Sequence, residues 1–342
     1  MDLPRSRLCT AGIAAAMLAG VSACGSDAAP VALPSLDLDP ARTTVSGLSS
    51  GAYMATQVHL AFSDHVAGAA LFAGGPYACA QGKLETALGS CLAPEAGMLP
   101  DPGVLAGLVR ERAAAGRIAA IDGLAGDAVL VFRGALDGTV GAGVTAAAAT
   151  LYRELGGARV ELDESRAIAH TFPTADAGSA CDVSESPYLG RCGFDGAAAV
   201  FAALYGPPPA EPGPGDGELR RFSQDLYRSE GKDALLADSG YVYVPKACTA
   251  GTRCALHVAF HGCQQNAEAV GEAFVREAGY NRWADAYGVV VLYPQTRASF
   301  APLNPKACWD WWGYGGADYD TRDGVQLRWV ANAAAALGAP LQ

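Results

Sequence analysis

The chain has 342 residues, 51% of them hydrophobic and 17% charged, so it is long and apolar enough to bury one large core or two smaller ones. Its net charge of -11 excludes nucleic acid and anionic membrane surfaces as electrostatic partners, because both would repel it. A small or uncharged substrate suits such a surface better.

Residues 1–23 read as a signal peptide outside the fold. Arg5 and Arg7 give a basic start, and Ala11 to Val21 is an apolar run too short to span a membrane. Val21-Ser22-Ala23-Cys24 resembles a bacterial lipoprotein cleavage box, which makes Cys24 a candidate for lipidation and membrane attachment. Ordinary secretory cleavage near Ala23 or Ala29 is the alternative. Either way the chain is expected to be secreted or held in the cell envelope. Residues 24–37 are a polar, Ala/Pro-rich, flexible lead-in, and the catalytic domain is expected to occupy 38–342.

Thr43-Thr44-Val45 is β-compatible, and Tyr53 to Phe62 has the apolar spacing of a helix. Val66 to Phe72 reads as a strand, and an Ala-rich helical stretch covers roughly 102–119. Ala128 to Arg133 is a short continuous apolar run, as in a strand buried on both faces. Thr145 to Leu155 is helical and Ala158 to Leu162 extended. The segment 206–217 then packs four glycines and five prolines into twelve residues, a linker or long surface loop. Strand signals resume at Tyr241 to Val244, Ala255 to Phe260 and Val289 to Tyr293, and an amphipathic helix from about Asp323 to Leu337 closes the chain. Alternating strands and helices predict an α/β fold with a mostly parallel sheet and helices on both faces.

Gly47-Leu48-Ser49-Ser50-Gly51 is a Gly-x-Ser-x-Gly motif, the sequence of the nucleophile elbow of α/β-hydrolases. Ser49 needs a general base, and the base an orienting acid, since no serine alkoxide exists at neutral pH. Of five histidines, His59 and His65 fall in or just past the helix after the elbow, and His257 and His261 in or beside a later strand. His170 remains as the base, in a loop-like context. Asp137 directly follows the strand at 128–133, at the carboxyl edge where open α/β sheets build their sites. Asp122 and Asp127 precede that strand, on the wrong edge; Asp163 and Asp176 are the other candidates for the acid. A metal pair of His257 and His261 is rejected, because on a strand that spacing separates them by about 13 Å. No metal or other cofactor is expected.

The elbow normally follows several strands, yet here almost nothing precedes it. The segment from Tyr241 onward supplies the early strands and a His261-Gly262-Cys263 loop of the type that gives an oxyanion N–H. Joining the C-terminal helix to the segment from Leu36 to Gly51 yields an ordinary helix, turn and elbow strand. The chain therefore reads as a single-domain α/β-hydrolase fold, circularly permuted, with the 206–217 linker joining what would otherwise be the termini.

Setting aside Cys9 and Cys24, eight cysteines remain, and export implies disulfides. Short spacings favour Cys79–Cys91, Cys181–Cys192 and Cys248–Cys254, leaving Cys263 with Cys308. Trp309, Trp311, Trp312, Tyr314 and Tyr319 put five aromatics into eleven residues, interleaved with Gly and Asp, which suits an irregular substrate-facing loop.

From about Leu36 to its end the chain resembles the circularly permuted extracellular poly(3-hydroxybutyrate) depolymerases. The likeness rests on the segment Gly47 to Tyr53, Leu136-Asp137-Gly138, His170-Thr171-Phe172-Pro173, Tyr243-Val244-Pro245, His261 to Gln265 and Cys308-Trp309-Asp310-Trp311-Trp312. It implies Ser49 as nucleophile, Asp137 as orienting acid, His170 as base, and Ser50 and Cys263 as oxyanion N–H donors. It further implies that a tryptophan of the aromatic loop, Trp309 foremost, lines a groove for a polyester chain. The expected activity is serine esterase hydrolysis of poly(3-hydroxybutyrate) or its oligomers by a monomeric enzyme. A feruloyl or acetyl-xylan esterase and a catalytically inactive surface lipoprotein are the alternatives.

Overall fold

The computed structural model describes residues 31–92, 98–209, 211–231 and 233–342. The proposed signal peptide, Cys24 and the first part of the lead-in lie outside the described residues. Eight strands form the main sheet: β1 (Leu38–Leu48), β2 (Val66–Phe72), β3 (Ala128–Phe132), β4 (Arg159–Asp163), β5 (Glu218–Ser223), β6 (Ser239–Val244), β7 (Cys254–Phe260) and β8 (Val289–Tyr293). Their order is β4-β3-β2-β1-β7-β8-β6-β5. The pairs from β4 through β8 are all parallel; β6 pairs antiparallel with β8, and β5 antiparallel with β6.

The six main helices are α1 (Ser50–Ala61), α2 (Pro102–Ala114), α3 (Ala142–Leu155), α4 (Gly196–Tyr205), α5 (Tyr280–Tyr287) and α6 (Val325–Leu337). The strand pleat sends alternate side chains to opposite faces, and this separates two cores. Val129 and Val131 join the core shared by α1, α2, α3 and α6, whereas Leu130 and Phe132 join the one shared by α4 and α5. Strands buried on both faces therefore need the continuous apolar run seen at Ala128–Phe132. The helix expected over 102–119 is shorter, because Gly116 turns left-handed (φ +70°) just past its end.

The connectivity bears on the position of the elbow. β1, from the start of the described chain, lies between β2 and β7, with Gly47 level with Leu71 on one side and Phe260 on the other. The end of α6 meets the segment entering β1: Leu36 N–H donates to Leu337 O at 3.0 Å. Gly338 makes this approach possible, since a Cβ there would stand 2.2 Å from Leu36 O. The 206–217 connection is tied down at its far end, where Asp216 and Gly217 N–H groups donate to Asp285 Oδ2. It leads into β5, a half-exposed edge strand whose charged sequence carries no continuous apolar run. Among the described residues four disulfides join Cys79–Cys91, Cys181–Cys192, Cys248–Cys254 and Cys263–Cys308, the first three being the pairs that short spacing favours and the last the remaining pair. Among the described residues no helix is long and apolar enough to cross a membrane.

Candidate active site

Ser49 stands between the end of β1 and the start of α1 with φ 57° and ψ -119°, a strained conformation for a residue with a side chain. The turn is held because Ser49 N–H donates to Phe72 O at 2.8 Å. Both flanking glycines are sterically required. A Cβ on Gly47 would come within 2.3 Å of the Gly51 carbonyl, and one on Gly51 within 2.3 Å of Phe260 O. The motif thus packs a tight strand-to-helix turn against the end of β7.

Asp137 lies just beyond β3, in a turn clamped by Arg133, which donates from Nη2 to Asp137 O (2.6 Å) and from Nε to Val140 O (2.8 Å). Its Oδ1 accepts the N–H groups of Thr139 (2.8 Å) and Val140 (2.9 Å), and its Oδ2 accepts from His170 Nδ1 at 2.8 Å. Burial pushes the carboxyl up, but the hydrogen bonds from His170, Val140 and Thr139 outweigh it and hold the pKa below the usual carboxylate range. Asp163, one of the other sequence candidates, is engaged instead by Ser165 and Arg166. Ser184 Oγ donates to His170 O at 2.9 Å and fixes the loop carrying the imidazole.

Ser49 and His170 line one cavity of about 510 Å³, together with Gly262, Cys263, Trp311 and Trp312. Among the described residues no acceptor engages the N–H of Ser50 or of Cys263. Ser50 opens α1, where the first-turn N–H groups have no intrahelical partner. The cavity wall is mostly apolar: Leu84 and Leu88 enter it from the segment stapled by Cys79–Cys91, and Leu92 from just beyond that bridge. Those leucines recur every fourth residue, a helical signal that the sequence reading passed over.

The aromatic loop divides, and here the sequence expectation is corrected. Trp311 and Trp312 face the cavity, and Tyr53 stacks on Trp311 with ring centroids 4.3 Å apart. Trp309 does not reach it: its ring is fully buried beneath, edge-on to Phe260, with Nε1 donating to His261 O at 3.1 Å. Tyr314 is likewise turned inward and donates to Cys308 O at 2.9 Å, and Tyr319 is also buried outside the cavity lining. The organiser of this loop is Asp310, which sequence reasoning missed. Its carboxylate accepts N–H bonds from Gly313 (2.7 Å), Tyr314 (3.0 Å) and Gly315 (2.7 Å), while burial pushes its pKa up to about 6.

Two of the other histidines have partners elsewhere in the fold. His59 sits between Asp127 Oδ2 and Tyr152 OH, both at 2.9 Å, at the opposite edge of the sheet. His257 bridges Thr44 (2.7 Å) and Ser46 (2.8 Å) across the β1–β7 pair. Among the described residues no group of three or more His, Cys, Asp or Glu side chains is arranged to hold a metal ion.

Ser49 and the Asp137-bound His170 thus line one apolar cavity, and serine, histidine and aspartate are residue types that acyl transfer uses. Residues 239–335 match the family model for esterase PHB depolymerase. The chain is 41% identical over 322 residues to the poly(3-hydroxybutyrate) depolymerase of Delftia acidovorans, covering 92% of this chain and 63% of that protein. It is 36% identical over 320 residues to the polyhydroxybutyrate depolymerase of Talaromyces funiculosus, covering 87% and 90% respectively. The crystal structure of PHB depolymerase from Penicillium funiculosum superimposes with a TM-score of 0.80 at 33% identity, over 90% of this chain and 99% of that one. A PHB depolymerase variant complexed with an R3HB trimer gives the same TM-score at 32% identity, over 91% of this chain and 98% of that one. With its mostly parallel α/β sheet, this protein belongs to the PHB depolymerase family of esterases.

Proposed function

We propose that this chain is an exported serine esterase that cleaves poly(3-hydroxybutyrate) or its oligomers through an acyl-enzyme. Residues 38–342 act as its catalytic domain. The observation that carries the reading is the hydrogen bond from His170 Nδ1 to Asp137 Oδ2, with His170 and Ser49 facing one apolar cavity. That bond keeps the proton on Nδ1 and leaves Nε2 free to accept the Ser49 proton. Ser49 Oγ attacks the ester carbonyl, and the oxyanion is met by the N–H groups of Ser50 and Cys263. His170 then returns the proton to the departing alkoxide, and water releases the acyl group by the same steps. Trp311, Trp312 and the leucines from the Cys79–Cys91 segment give an uncharged wall suited to an aliphatic polyester. Four disulfides suit an oxidising compartment, in keeping with export.

The purified enzyme should clear an opaque poly(3-hydroxybutyrate) suspension, and Ser49→Ala should abolish clearing as well as hydrolysis of a short nitrophenyl ester. Hydrolysis of feruloyl esters without clearing overturns the substrate assignment. Ester hydrolysis surviving in the Ser49→Ala variant overturns the catalytic one.

A further inference from the structure

His261 heads the His-Gly-Cys loop, and the catalytic reading above leaves it without a role. It is fully buried and its two ring nitrogens are both engaged. Nδ1 lies 2.7 Å from Gly262 O, an acceptor, so Nδ1 carries the proton. Nε2 receives the N–H of Thr296 at 3.2 Å, so it presents a lone pair. The Thr296 hydroxyl gives its own proton to Ala307 O at 2.6 Å and does not compete. One tautomer satisfies all three contacts, and burial keeps the ring neutral by pushing its pKa down to about 4.

Gly262 O belongs to the same peptide unit as the Cys263 N–H. In a planar trans unit the carbonyl and the N–H point in opposite directions. Holding the carbonyl against the His261 ring, on the buried side, therefore directs the Cys263 N–H the other way, toward the cavity that Gly262 and Cys263 line. The preceding unit is held as well: Gly262 N–H donates to Gln265 Oε1 at 2.8 Å, and His261 O accepts from Trp309 Nε1 at 3.1 Å. Gln265 N–H adds a longer bond to Gly262 O at 3.2 Å.

We propose that His261 is a positioning residue for transition-state stabilisation, its Nδ1–H fixing the Gly262–Cys263 peptide plane so that the Cys263 N–H is aimed at the oxyanion. This rests on the serine-esterase reading. Loss of the Nδ1–H leaves Gly262 O with one weaker donor, so the peptide can rock and the oxyanion contact lengthens. The ground-state ester, bound mainly through the apolar wall, is affected far less.

The test uses the full-length enzyme with a soluble nitrophenyl ester and with a trifluoromethyl alkyl ketone, whose serine adduct places an alkoxide where the oxyanion forms. In His261→Gln the amide reaches the Nε2 position and the donor at Nδ1 is lost; in His261→Asn the amide nitrogen falls near Nδ1. His261→Gln should lower kcat about 10- to 100-fold with KM within about twofold, and weaken the ketone in parallel; complete removal of an oxyanion donor costs about 100- to 1,000-fold elsewhere. His261→Asn should recover kcat to within about threefold of the parent, since a donor at the Nδ1 position again holds the same peptide plane. A parent-like kcat in His261→Gln, or equal losses in both variants, overturns the proposal and leaves His261 as packing. Nitrogen NMR of the unmutated enzyme decides it even if a variant does not fold: an Nε2–H tautomer at His261 overturns it. Ser49→Ala run in parallel separates the two readings. Residual hydrolysis there refutes the site itself, whereas an inactive Ser49→Ala with an unimpaired His261→Gln refutes only the positioning role.

Discussion

Asp137→Asn isolates the electrostatic part of the proposed mechanism with little change of shape. Asn is isosteric, and its Oδ1 can keep the Thr139 and Val140 N–H bonds, so the turn clamped by Arg133 stays in place. What changes is the atom facing His170 at 2.8 Å. An amide N–H there forces the lone pair onto Nδ1 and the proton onto Nε2, so the imidazole can no longer accept the Ser49 proton. The carboxylate that balances the imidazolium in the transition state is lost as well. With charge centres about 4 Å apart and an effective dielectric near 20, that attraction is worth about 4 kcal/mol. At 1.36 kcal/mol per decade this alone is about a thousandfold in rate, and the tautomer change brings the expected loss of kcat to about 10³- to 10⁴-fold. The assay is initial-rate hydrolysis of a short nitrophenyl ester, with Ser49→Ala as background and circular dichroism melting to verify folding. A folded Asp137→Asn enzyme with kcat within tenfold of the parent refutes the reasoning and removes Asp137 from the acid's role.

Further outcomes follow from other contacts. Trp311→Ala removes the ring stacked on Tyr53 and should raise KM for a 3-hydroxybutyrate oligomer about tenfold with a smaller change in kcat, read from oligomer-length kinetics. Replacing Cys263 and Cys308 together by Ser opens a loop of 45 residues and should cost about 4 kcal/mol in denaturant unfolding, with catalysis falling too because Cys263 carries a proposed oxyanion N–H. Burial pushes His257 down to about 3 and His261 to about 4. Both are thus neutral in the folded state while the unfolded chain binds protons below about pH 6.5, so their contribution is complete above that pH and declines toward pH 4. At pH 4.5 each should cost about 3 kcal/mol, and in His257→Gln the loss of stability between pH 7 and 4.5 should shrink by that amount. A chain in which Gln342 is joined to Leu36 and new termini are opened within 206–217 should fold and hydrolyse ester; an unfolded product across a range of joining lengths counts against the permuted reading.

Much of the fold was legible because buried parallel strands leave no choice of residue type. The runs at Ala128–Phe132 and Val289–Tyr293 must be apolar on both faces, whereas the edge strand Glu218–Ser223, half in solvent, leaves no such trace. The Gly47–Gly51 motif was equally legible, since each glycine marks a backbone approach that excludes a Cβ. Position relative to strand ends points to Asp137 over Asp127, and in the folded chain Asp137 pairs with His170 and Asp127 with His59.

The aromatic loop shows where sequence reasoning ends. Composition indicates that five aromatics crowd one segment, but the side on which each ring falls depends on left-handed backbone at Gly313 (φ +91°) and on Asp310 gathering three N–H groups. Trp311 and Trp312 face the cavity while Trp309 is sealed beneath it, a difference that no periodicity encodes in an irregular loop. Burial and tight turns constrain residue identity locally, so the sheet, the strand-to-helix turn and the residue types needed for acyl transfer can be read from the chain alone. Which aromatic rings meet the cavity and which tautomer His261 holds emerge only on folding, because both depend on hydrogen bonds between segments far apart in the chain.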